Sequence, residues 1–174
     1  MVMTPRLRKF ALTVHLTCSV GWIGAVMAYL ALVVAALISQ DSRTLPAAWF
    51  AMELIGWYVI VPLALASLLS GLVMALGTPW GLFQQHWVVL SLVLTILATV
   101  VLLMHMQTVS DVVRIAAATP SAAVGGLPGE VAHGGVGMLV LLVIQVLNMY
   151  KPRGLTSYGW RKHQARRTGS SAEM

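Results

Sequence analysis

The chain has 174 residues, 59% of them apolar and 9% charged, with a formal net charge of +6. Soluble domains average about 45–50% apolar and about 25% charged, so a water-facing fold could not cover this much apolar surface. Composition thus excludes an ordinary soluble domain, and the length predicts one membrane domain with tails too short to fold alone.

In chain order, Arg6, Arg8 and Lys9 precede a first apolar stretch at 10–38. It is too long for a signal-peptide core of about 7–15 residues, and it is read as a retained helix. Its single cysteine, Cys18, is the only one in the chain, so no intramolecular disulfide can form. The segment SQDSRTLP (39–46) breaks the helix, and a second apolar stretch covers 47–76, with Pro62 in its middle as a candidate kink. A short turn over 77–85 leads to a third stretch at 87–106. The longest connection, 107–130, begins with residues that can extend the third helix, with Asp111 and Arg114 one turn apart. It ends in the Gly-Pro-rich run around 125–129 and Glu130. A fourth stretch occupies 131–150.

Each stretch has the 18 or more apolar residues that an α-helix needs to cross roughly 30 Å of hydrocarbon. The expected fold is therefore all-α, a polytopic membrane protein forming an antiparallel four-transmembrane-helix bundle. Nine of the eleven basic residues flank the outer ends of the first and last stretches, including Lys151, Arg153 and the tail at 161–167. Basic residues accumulate on the cytoplasmic side, which predicts that both termini are cytoplasmic. The positive charge is read as topology and attraction to anionic lipid at the basic tail, with no nucleic acid partner.

Small residues that let helices approach in lipid include Gly21 and Ala25, and Gly134, Gly135 and Gly137. Ser91, Ala98 and His105 recur every seven residues, with Thr95 and Thr99 beside them, and this stripe is expected to face the bundle interior.

The chemistry resides in the histidines. His15 and His86 lie near the inner face, and His105 and His133 near the outer one. A b-type haem held by two histidines needs imidazoles at matched depth on facing helices, and His105 with His133 meets that depth condition. His86 points about 140° away from the Ser91–His105 stripe. His15 is an ionisable group inside a span, which marks it as a functional candidate. Glu53, near the outer end of the second stretch, is a lesser candidate for proton relay. There is no phosphate-binding loop, zinc-spaced cysteine pair or nucleophile–base arrangement.

His15, Trp22 and Gly24 resemble the first helix of a broad group of bacterial membrane proteins that includes CopD-type and HemJ-type members. The segments HWVVLSLVLT (86–95) and KPRGLTSYG (151–159) resemble more closely a family of predicted bacterial four-helix integral membrane proteins of unknown function. The resemblance implies a bacterial inner-membrane location and, from the HemJ group, a haem-binding role for His15. The position matching that group's third-helix lysine is Ser91, which cannot carry its charge, so protoporphyrinogen oxidase activity is not carried over. The CopD resemblance would recruit Cys18, one turn from His15, and Met104 and Met106 beside His105 as soft copper ligands.

The leading expectation is a haem b protein for electron transfer or haem handling, with His15, His105, His133 and His86 as cofactor-binding candidates. The alternatives are a small transporter or channel for a proton, metal or small solute, and a non-catalytic accessory subunit. The last would dock a membrane-complex partner or a second copy of itself.

Overall fold

The computed structural model describes residues 3–39, 41, 43–77, 82–118, 126–152, 154, 156, 157, 159–161 and 164. Most of the basic tail and the stretch 119–125 lie outside the described residues. The described chain is helical, and four of its helices are long and apolar enough to cross a membrane.

Helix α1 (Pro5–Ile38) starts five residues before the first apolar stretch. Thr4 caps it, accepting from the Leu7 amide, and Pro5 supplies a backbone already fixed for the first turn. The second span runs from Thr44 to Gly77 as α2 (Thr44–Ile55), a π-turn (Gly56–Ile60) and α3 (Val61–Gly77). The expected disturbance at Pro62 takes this form. Proline has no amide proton, and the helix widens just before it, with the Val61 amide bonding back to the Gly56 carbonyl. Gly56 also lets α2 approach its neighbour, because a Cβ there would overlap the buried Met106 side chain.

Helix α4 (His86–Ala118) continues twelve residues past the third apolar stretch, through the start of the long connection, as expected there. Val109 is fully buried and Val112 and Val113 pack on the core, so tertiary contact continues past the hydropathy boundary. Asp111 and Arg114 form an exposed pair at 3.6 Å on that extension. Helix α5 (Leu127–Tyr150) starts four residues earlier than expected. Leu127 is buried at its start, and Pro128 suits the first turn. Glu130 therefore belongs to the helix rather than to the preceding connection.

Helix α1 packs against α3, α5 and α2, while α4 packs against α2, α3 and α5. Gly21 meets Leu63 of α3, and Gly134 lies against Leu30 of α1, as small interfacial residues allow. The largest buried side chains include Trp49, Met52 and Met106, whereas Leu97, Val100, Leu139 and Val146 are exposed, as a lipid solvent permits. At one end, the Met3 amide donates to the Gly77 carbonyl, and the Thr156 amide to the Gln84 carbonyl.

Candidate functional site

Along α1, His15, Ser19, Trp22, Val26 and Tyr29 follow one another at alternating spacings of four and three. Along α4, Ser91, Thr95, Ala98, Leu102 and His105 do the same. Such spacing keeps a single helix face turned inward over several turns. Among the described residues, the buried polar ones are Ser67, Ser91, Thr95, Thr99 and Glu130, so three of these five lie in or beside the predicted α4 stripe. The hydroxyls of these three α4 residues donate to carbonyls one turn back on their own helix, which removes the cost of burying them. Two cavities, each partly open to the surface, lie along these faces, one at the His15 end and one at the Tyr29 end. Trp22, only 4% exposed, comes between Ser19 of the first cavity and Val26 of the second.

The first cavity, about 320 Å³, is lined by His15, Ser19, Ser67, Gly71, Ser91 and Asn148 among mostly apolar neighbours. Nδ1 of His15 is 3.1 Å from the Ser67 carbonyl oxygen. A carbonyl only accepts, so Nδ1 carries the proton and Nε2 of the neutral ring keeps its lone pair. The Ser70 hydroxyl, also 3.1 Å from Nδ1, donates to the Ala66 carbonyl, and its oxygen is free to accept from the same N–H. Ser19 and Ser67 are joined through their hydroxyls at 2.8 Å. Gly71 makes room for the ring: a Cβ there would lie 3.0 Å from His15 Cε1. Lys151 ends α5 at the rim in the left-handed conformation, φ 45°, with its amide bonded to the Leu147 carbonyl.

The second cavity, about 570 Å³, is lined by Trp22, Tyr29, His105, His133, Gly137 and further apolar residues. Glu130 Oε2 accepts from the Tyr29 hydroxyl at 2.6 Å and pairs with His105 Nε2 at 2.8 Å. The imidazoles of His105 and His133 stack, with centroids 3.8 Å apart and planes 11° from parallel. Glu130 and His133 are one turn apart on α5, so both reach His105 from the same helix.

The histidine candidates therefore divide. His105 and His133 come together as expected, but face to face, with no space for a macrocycle between them, and one nitrogen of His105 is held by Glu130. Two axial ligands must present nitrogens to opposite faces of the macrocycle, and this arrangement does not fit that requirement. His15 is remote from them, since Tyr29 of the Glu130 network lies about 21 Å further along α1. His15 would suit holding a haem iron through Nε2, because metal-bound histidines commonly donate the other ring N–H to a carbonyl or carboxylate. His86 is exposed, lies beside Gly154 and lines neither cavity. Cys18 and Glu53 are half-buried and Met104 is exposed. Among the described residues, no three or more His, Cys, Asp or Glu side chains are grouped to hold a metal ion.

Comparison with protein-family models, with curated proteins and with solved structures finds no match.

Tyr29 and Glu130 were not legible as site residues from sequence. Hydropathy puts Glu130 in the preceding connection, because a carboxylate after a Gly-Pro run marks a boundary. Its three-residue spacing from His133 is the signal that placed it on the same helix face. Nothing in the sequence marks Ser67 and Ser70 as partners of His15, because the partner of an unpaired imidazole is set by tertiary contact.

Proposed function

We propose that this chain is a bacterial inner-membrane protein whose four spans run up-down-up-down, with both termini cytoplasmic, and that it holds one b-type haem through His15. It would thus be kin to the four-helix family that its sequence resembles. The asymmetry of its Lys and Arg residues supports the orientation. The bonds from Met3 to Gly77 and from Thr156 to Gln84 support bringing the termini to one end.

The observation that carries the haem reading is the His15 Nδ1–H bond to the Ser67 carbonyl, which leaves Nε2 as a lone-pair donor beside a cavity. Ser70 reinforces that orientation, and Gly71 leaves space for the ring. The mostly apolar walls limit water. When bound, haem would supply reversible one-electron chemistry, which fits electron transfer or haem handling.

The test is the absorption spectrum and haem content of protein solubilised in mild detergent. Wild type should show a Soret band at about one haem per chain, His15→Ala should lose it, and His105→Ala/His133→Ala should keep it. A colourless wild type from haem-replete cells would refute the reading, and so would a band indifferent to His15→Ala. Tags at both ends should report from the cytoplasm; a tag reporting from the other side would overturn the topology.

A further inference from the structure

The second cavity is walled almost entirely by apolar side chains but carries an ionisable cluster at one end. Leu97, Val101 and Val136 line it and are also 55%, 47% and 62% exposed, so this wall belongs to the surface that meets lipid. A molecule reaching the cavity from that side must be soluble in hydrocarbon. Among the described residues, neither nitrogen of His133 nor Nδ1 of His105 has a hydrogen-bond partner, although both rings line the cavity. Glu130, fixed by Tyr29, accepts the Nε2 proton of His105, so Nδ1 faces outward as an acceptor in the neutral ring and as a donor in the protonated one. The stacked neutral His133 adds one donor and one acceptor beside it.

An alkyl chain would leave all of these nitrogens unanswered, and a water-soluble anion would find no counter-charge along the apolar walls. A flat ring bearing hydroxyl or carbonyl oxygens, with an apolar tail, satisfies both parts of the cavity. We infer that the cavity beside His105 and His133 binds a lipid-soluble ring of the quinone/quinol class, its oxygens on the two imidazoles and its tail against Leu97, Val101 and Val136. This site shares no ligating residue with the His15 cavity, so it stands apart from the haem reading.

The experiment is a titration of the full chain in lipid nanodiscs with decylubiquinone, followed by tryptophan fluorescence, since Trp22 lines the cavity. Wild type should quench saturably. Gly137→Leu should weaken binding tenfold or more, because Gly137 lines the cavity and a Cβ there meets nothing within 4 Å, so a larger side chain grows from open space beside the bound ring. His133→Leu should weaken it similarly, while Val146→Ala, at an exposed position outside both cavities, should leave it unchanged. Val140→Phe fills the same cavity from the next turn and replaces Gly137→Leu if that variant is unstable. Quenching that only tracks quinone partitioned into the membrane would overturn the inference. Equal affinity in the filled-cavity variants would do so too, as would competition by decanol as effective as decylubiquinone.

Discussion

The two cavities along α1 hold histidine chemistry of opposite kinds. At the first, His15 is a lone imidazole whose protonated nitrogen is fixed by backbone and hydroxyl, leaving the other with its lone pair in a residue that lines the cavity. At the second, His105 is held through a carboxylate that also binds a tyrosine, and a second imidazole covers its face. A carbonyl partner orients a ring without altering its charge, whereas a buried carboxylate and two rings form a unit whose members depend on one another. The same residue type thus stands as a single imidazole beside one cavity and as part of a hydrogen-bonded, stacked cluster beside the other.

The largest contrast should come from breaking the cluster. Glu130→Leu leaves the Tyr29 hydroxyl and the His105 N–H without their acceptor, and we expect a loss of about 1–3 kcal/mol in unfolding free energy. Glu130→Gln, which keeps an acceptor, should recover most of it. Haem content per chain should be unaffected by either change. Denaturant unfolding followed by circular dichroism, with absorbance read in parallel, checks this; a parallel loss of absorbance would mean that the two ends act as one.

A glycine in each cavity sharpens the comparison by sign. At Gly71 an added methyl would press on the His15 ring, so Gly71→Ala should lower haem retention and stability. At Gly137 an added methyl meets nothing, and Gly137→Ala should stabilise its helix by about 0.5–1 kcal/mol. Unfolding curves and haem content of the pair test both directions. The smallest effect is expected at Ser70. Ser70→Ala removes one of two acceptors at His15 Nδ1 and should cost about 0.6 kcal/mol, the mean for side-chain hydrogen bonds inside membranes. It should shift the Soret band only slightly, because the Ser67 carbonyl remains.

Much of the fold was readable because lipid imposes a length and an apolar content on each span. The inward face of α4 was readable as well, since Ser91, Thr95 and Thr99 are small polar residues in a helix that is otherwise aliphatic. Span ends were less so: Val109 and Leu127 are buried by neighbours that hydropathy does not see. The matched depth of His105 and His133 followed from counting residues, but their ring orientation did not. It is set by Glu130, which α5 carries into the interior one turn before His133, and by Tyr29 on α1. Which helix faces which is a tertiary fact, and the partners of His15 on α3 belong to the same class.

Ligation by His15 is tested most directly by removing its side chain and supplying the ring from solution. His15→Gly should purify without a Soret band and regain it when free imidazole is added, because the space left beside Gly71 and Ser67 then admits the ligand. A band that persists in His15→Gly without imidazole, or an absence of any band in wild type, would contradict the account.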